Sequence, residues 1–132
     1  MRNGAWRWAL EKETGNSPNE KAEGIKGDYP WGKEWPPPKG AGNYDGRLKV
    51  DNFDYTSPVG SFAANKFGIH DLGGNAWEWC EDKLTPTSST RVSRGASWVN
   101  YSSGGLLSSY RRPYDPGLRG NGRGFQCVLM GE

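Results

Sequence analysis

Twenty glycines and nine prolines punctuate this chain of 132 residues, and that spacing forbids long helices and long strands over most of its length. From Asn16 to Asp51 turn formers dominate: Gly27-Asp28, Tyr29-Pro30-Trp31-Gly32, Pro36-Pro37-Pro38-Lys39-Gly40 and Asp45-Gly46. The region reads as a long ordered loop. Three consecutive prolines stiffen it, and the tryptophans on either side can pin it to a core. Only 33% of residues are apolar and the mean hydropathy is -0.88, so seven Trp, six Tyr and four Phe must carry much of the burial. That aromatic content sets the chain apart from disordered sequences of similar polarity. One domain over residues 1–132 is expected, large enough to bury roughly two-thirds of its unfolded surface.

The formal charge of +2 with interspersed signs leaves no footprint of a nucleic-acid binder. No apolar run approaches the ~20 residues that cross a bilayer, so membrane insertion is not expected. The segment Met1-Arg2-Asn3-Gly4-Ala5-Trp6 lacks the apolar stretch of a secretory signal, which makes a cytoplasmic location the default expectation. Cys80 and Cys127 are too few for a disulfide framework. They could bridge once, but buried free thiols are expected.

A short helix is predicted over Ala5–Thr14, with Trp6, Ala9 and Leu10 on one face. Strands are predicted over Ser57–Phe62, Trp77–Cys80, Val92–Trp98 and Phe125–Met130, with Asn100–Tyr110 irregular. Trp77 and Trp79 are expected to face opposite ways, one into the core and one onto the loop region. His70, the only histidine, reads as a turn residue, with no serine or cysteine partner for base catalysis. Trp31, Trp35 and Trp98 read as core or loop anchors in preference to a carbohydrate platform.

Three motifs stand in order: Gly68-Ile69-His70-Asp71-Leu72-Gly73-Gly74-Asn75-Ala76-Trp77-Glu78-Trp79, then Arg94-Gly95-Ala96-Ser97-Trp98, then Gly124-Phe125-Gln126-Cys127-Val128. Together they resemble the formylglycine-generating-enzyme, or sulfatase-modifying factor, domain, over roughly Ala5 to Val128. The resemblance implies an α+β, C-type-lectin-like fold, rich in loops, with short antiparallel strands and one or two short helices. In that family the chain would begin inside an N-terminal helix entry; either the fold closes without the earlier strand, or an N-terminal part precedes Met1.

The resemblance also implies calcium. Asp71, Gly74, Ala76 and Glu78 stand where the family binds an ion through two side chains and two backbone carbonyls. Asn43, Tyr44, Asp51 and Phe53 match a second site, with side-chain oxygens from Asn43 and Asp51 and carbonyls from Tyr44 and Phe53. Calcium takes six to eight hard oxygens in flexible geometry, and a glycine-rich turn lets carbonyls converge. Acids beside glycines, taken alone, read as turn caps. One or two structural ions are therefore the expectation that the resemblance brings.

Catalytic members of the family hold copper on two cysteines just after the Gly-Gly-Ser-aromatic strand, because soft sulfur selects Cu(I). The corresponding positions here are Asn100 and Gly105. Nothing from Val99 to Arg123 is Cys, His or Met. No copper and no enzyme activity are expected, and a single histidine does not suffice for the iron site of related sulfoxide synthases.

Residues 99–123 contain no Lys, Glu, Trp, Met or Gln, although these types supply 26 of the 132 residues and 25 positions should hold about five. An asparagine codon ending in C or T cannot become any of the five by changes at its adenines. That bias resembles the variable proteins of diversity-generating retroelements, which use this lectin-like domain. Physically the segment resembles a paratope, the alternative being an ordinary polar surface loop. Tyr101, Tyr110 and Tyr114 offer rigid amphipathic area, and Ser102, Gly104, Gly105, Asn100, Asp115 and Asn121 offer adaptable polar contact. Arg112, Arg119 and Arg123 can add bidentate contacts, and Val99 and Leu118 complete the expected surface. Arg111 is expected to be structural. The reading is a ligand-binding module for a protein or glycan, of undetermined oligomeric state. The alternative is a formylglycine-generating-enzyme-like oxidoreductase, or an inactive paralogue serving as a structural or interaction domain.

Overall fold

The computed structural model describes residues 27–65 and 67–125. The tryptophan-rich stretch after Gly74 is the longest strand, β1, Trp77–Lys83, and it lies inside a four-stranded sheet. Strand β2, Arg91–Arg94, runs antiparallel to it, with Glu78 opposite Arg94 and Trp79 opposite Ser93. An irregularity follows before Lys83 meets Arg91. Strand β3, Arg112–Tyr114, pairs antiparallel with β2, and strand β4, Arg123–Gly124, pairs parallel with β1. The order is β3-β2-β1-β4, a small mixed sheet. Among the described residues the only helical element is one 3-10 turn, Gly46–Leu48, which Asp45 caps through the Arg47 amide.

Several predicted elements are corrected. Trp77–Cys80 is the start of a longer strand. Ser57–Phe62 is not a strand: Pro58 has no amide to give a ladder, and Ser61 N–H closes a turn onto the Pro58 carbonyl at 3.2 Å. The strand predicted over Val92–Trp98 stops at Arg94, because Gly95 (φ 92°) and Ala96 (φ 66°) are left-handed and turn the backbone out of the sheet. Strands β3 and β4 arise inside the segment read as loop. Trp77 and Trp79 do not face opposite ways, since positions two apart in a strand share a face. Trp77 is buried and packs near Tyr110, whereas Trp79 is half-buried against Tyr114. The helix predicted over Ala5–Thr14 lies outside the described residues, as does nearly all of the strand predicted over Phe125–Met130. Phe125 itself is exposed and outside any strand.

Tyr44, Val50, Trp77, Ala96 and Leu106 form the buried cluster, and Tyr29, Trp31, Ala41, Leu48 and Tyr114 pack around it. Trp31 pins the proline-rich loop as its sequence suggests. Its ring stacks on Tyr29 at 4.7 Å, meets Tyr44 edge-on at 5.5 Å, and its indole N–H donates to the Glu34 carbonyl. Loops far apart in sequence meet at Asn75, a left-handed residue (φ 60°). Its amide N–H donates to the Asn43 carbonyl at 2.7 Å, and its side-chain oxygen accepts from Ser57 N–H at 2.9 Å. The Trp98 N–H in turn donates to the Asn75 carbonyl at 3.1 Å. Each such bond is worth only about 1 kcal/mol net, but leaving one buried group unmatched costs more.

Candidate functional site

Of the acids of the glycine-rich motif Glu78 is buried and Asp71 half-buried, and both are only partly satisfied. Asp71, held in a left-handed conformation (φ 55°), accepts the Gly60 N–H on Oδ2 at 2.9 Å; its Oδ1 is buried with no hydrogen-bond partner. Glu78 on β1 is 6% exposed and its Oε2 likewise has no partner. Burial, with the nearby Asp71 charge adding to it, pushes the Glu78 carboxyl up to about 8. Asn43 Oδ1 is a third buried oxygen without a donor, while the Asn43 amide nitrogen donates to the Tyr55 carbonyl at 2.7 Å. Native proteins seldom leave such oxygens unmatched, and calcium takes hard oxygens of this kind, although among the described residues no three or more His, Cys, Asp or Glu side chains stand together as a metal site.

Asp51 gathers the second set. One carboxylate oxygen accepts Tyr44 N–H and the other Phe53 N–H, both at 2.9 Å. The Tyr44 and Phe53 amides are thus gathered on the Asp51 carboxylate, whereas the Asn43 amide nitrogen is engaged with Tyr55 and Asn75. Tyr44 is fully buried, and burial holds its phenol far above the usual range, hence neutral. Gly74 sits where the two sets touch: a Cβ there would lie 2.4 Å from the Asn43 carbonyl oxygen.

The second candidate surface is residues 99–123. Val99, Tyr101, Tyr110 and Leu118 are 47%, 47%, 41% and 50% exposed. Ser102, Gly104, Asp115, Arg119 and Asn121 are exposed too, while Gly105, Arg112, Tyr114 and Arg123 are half-buried. Asn100 turns inward: its side-chain oxygen accepts Ser97 N–H at 2.9 Å and the Ser97 hydroxyl at 2.8 Å. Gly105 is likewise taken up in a turn, donating to the Ser102 carbonyl at 3.1 Å. Leu106 and Ser108, which the expected surface leaves out, are buried. Arg111 reaches across to the Leu84 carbonyl at 3.4 Å, a structural contact.

Two outside residues join this surface without any signal in the sequence. Arg47, forked onto Asp45, lies with its guanidinium 3.4 Å from the centre of the Tyr101 ring. Tyr55, 69% exposed, meets Trp98 edge-on at 5.3 Å. His70 is a loop tie, with Nδ1 2.8 Å from the Phe62 carbonyl oxygen. Cys80 is a buried free thiol, and burial pushes it up to about 11. The cysteine at 127 lies outside the described residues, so the predicted alternative of a bridge to it does too. No helix among the described residues is long and apolar enough to cross a membrane.

Comparison with known proteins gives a consistent set of relatives. Residues 7–130 match the family described as "Sulfatase-modifying factor enzyme 1-like domain". The chain is 34% identical over 116 residues to the mouse inactive C-alpha-formylglycine-generating enzyme 2, covering 80% of this chain and 38% of that protein. It is 30% identical over 124 residues to the mouse formylglycine-generating enzyme, covering 76% and 33%. Among solved structures it resembles variable protein 1 of Treponema denticola, with a TM-score of 0.59 and 27% identity over 95% of this chain and 45% of that one. The chain thus spans 33% to 45% of the length of these three proteins.

Proposed function

Because the chain belongs to the family of sulfatase-modifying factor enzyme 1-like domains, we propose that it is a non-enzymatic member, a ligand-binding module on a C-type-lectin-like scaffold. Residues 99–123 are its binding surface. The observation that carries the reading is the state of that segment. Val99, Tyr101, Tyr110, Leu118 and Arg119 stand exposed on a frame built by β1, β2 and the aromatic-pinned loops, while Arg112, Tyr114 and Arg123 are half-buried. The positions corresponding to the family's copper cysteines, Asn100 and Gly105, are spent on turn hydrogen bonds. Likeness to a variable protein and to an inactive paralogue supports the same reading. The ligand is a protein or a glycan.

Exchange of Val99, Tyr101 and Leu118 for serine should abolish capture of ligands selected on the parent protein while leaving the melting temperature within a few degrees. Incubation with copper and a Cys-x-Pro-x-Arg peptide should give no aldehyde, and turnover in that assay overturns the non-enzymatic reading. A near-identical downstream repeat differing only at adenines, beside a reverse transcriptase gene, would establish that the surface is diversified.

Calcium belongs to the same proposal. Asp71 and Glu78, with the carbonyls of Gly74 and Ala76, would hold one ion, and Asn43 and Asp51, with the carbonyls of Tyr44 and Phe53, a second. The unmatched buried oxygens of Asp71, Glu78 and Asn43 fit that donor set. The ion would supply positive charge to these oxygens and tie loops whose ordering costs backbone entropy. Bound at one hundred times its dissociation constant, one ion adds about 2.7 kcal/mol. Chelator should therefore lower the melting temperature by several degrees, calcium should restore it, and Asp71→Ala should erase the difference. A melt that ignores chelator in a metal-free preparation refutes this part.

A further inference from the structure

Residues 99–123 carry four arginines, Arg111, Arg112, Arg119 and Arg123, against one acid, Asp115, and contain no lysine or glutamate. The segment is therefore +3 within a chain whose total is +2. Its lone acid is committed to a turn, where Asp115 Oδ1 accepts Gly117 N–H at 2.8 Å. Arg111 is committed to the Leu84 carbonyl. Among the described residues no carboxylate pairs with Arg112 or Arg123.

Both instead converge on one ring. The Arg123 guanidinium lies 4.1 Å from the centre of Tyr114 and that of Arg112 lies 4.9 Å from it, with Trp77 a further 5.4 Å from Arg112. The sheet enforces this meeting. Arg112 and Tyr114 are two apart on β3 and share a face, and β4 brings Arg123 in beside Trp77 on β1. A ring face attracts a cation but does not cancel its charge, so two like charges gathered on one phenol are a site awaiting an anion. Planar guanidiniums fix a carboxylate by paired hydrogen bonds, and both arginines are half-buried residues.

The surroundings choose between anionic partners. Tyr110 and Leu118 are exposed in the same segment, and apolar surface of this kind suits side chains better than a phosphate backbone. We propose that Arg112 and Arg123, seated on Tyr114, form a clamp for a carboxylate on an acidic polypeptide partner. The proposal rests on the reading of residues 99–123 as the binding surface and names the class of ligand.

The test is selection of a random twelve-residue peptide display library on the full chain. Peptides recovered on the parent protein should be enriched at least twofold in Asp and Glu, and one of them should bind at least tenfold more weakly to Arg112→Gln/Arg123→Gln. Should that variant fail to fold, Arg112→Glu/Arg123→Glu keeps the test open, since it should recover Lys- and Arg-rich peptides instead. Recovery of peptides with no acidic enrichment overturns the clamp and leaves the binding surface standing. Recovery that survives Val99→Ser/Tyr101→Ser/Leu118→Ser overturns the binding surface as well. If polygalacturonate or a single-stranded oligonucleotide displaces the acidic peptide at lower concentration of charge than free glutamate peptides do, the partner class is wrong.

Discussion

Replacement of Gly74 by alanine separates two costs that the structure superimposes. Gly74 has φ 82°, in the left-handed region, and a Cβ built there would lie 2.4 Å from the Asn43 carbonyl oxygen and 3.0 Å from the Asn43 backbone carbon and nitrogen. The left-handed term is about 1–2 kcal/mol. The clash is larger, because backbone must retreat by about 1 Å to reach ordinary contact, and this backbone is tied down. The Asn43 carbonyl accepts Asn75 N–H at 2.7 Å and Gly74 N–H donates to the Gly95 carbonyl at 2.7 Å. Loosening both bonds at about 1 kcal/mol each brings the total to about 3–4 kcal/mol. For a domain of this size that is a fall of roughly 10–20 °C in melting temperature, followed by near-ultraviolet circular dichroism of the tryptophans. Two other glycines calibrate it. Gly27 (φ 81°) has nothing within 4 Å of its would-be Cβ, so alanine there should show the left-handed term alone. Gly104 has neither feature, and alanine there should change stability by less than about 0.5 kcal/mol. A Gly74→Ala melt no lower than that of Gly27→Ala refutes the argument that the Asn43 carbonyl is a fixed wall.

Two titration experiments probe the buried acid and thiol. With chelator present, Glu78 is an acid whose folded value, about 8, exceeds its ordinary 4.5. The neutral form is the one the fold favours, so its contribution of a few kcal/mol is complete below pH 4.5 and is lost as pH rises through about 8. Urea midpoints should fall over that window, Glu78→Gln should flatten the slope, and a flat profile for the unaltered protein would count against the burial argument. Cys80, pushed up to about 11 by burial, should resist iodoacetamide at pH 8 in the native protein and react fully in guanidinium. Mass mapping of the Cys80 peptide after native treatment reads this directly, and rapid native labelling would show the thiol to be accessible.

The parts of the fold that sequence reveals are those where one local rule acts without competition. Alternating Trp77, Glu78, Trp79 and Cys80 gave a strand because nothing nearby breaks the period. The next strand ends at Arg94, four residues short of the Trp98 that its sequence suggests, because Ala96 takes a left-handed φ that its residue type disfavours, and tertiary packing of a side chain 1% exposed enforces it. Proline disfavours sheet interiors, yet Pro113 sits in β3 at the sheet's edge, where a missing amide costs no ladder bond on the solvent side. β4 has two residues and no period to detect.

The candidate site divides along the same line. Asp71 and Glu78 carry no distinguishing local signal, and only the resemblance marks them. What the structure adds is that their outer oxygens are buried and unmatched, a property that depends on loops at Asn43 and Gly60 meeting them. Asn75, the residue that joins those loops, went unremarked because each of its bonds is to a residue remote in sequence. Residues 99–123 are legible through composition for the opposite reason. Exposed side chains answer to few packing constraints, so a bias imposed on them persists in the sequence. The exceptions prove informative: Leu106 and Ser108, buried within the segment, and Asn100, folded onto Ser97, are held by packing and by turn bonds. A segment that mixes fixed inward positions with free outward ones can change its outward face without altering its path. That separation is what a binding surface carried on a constant scaffold requires.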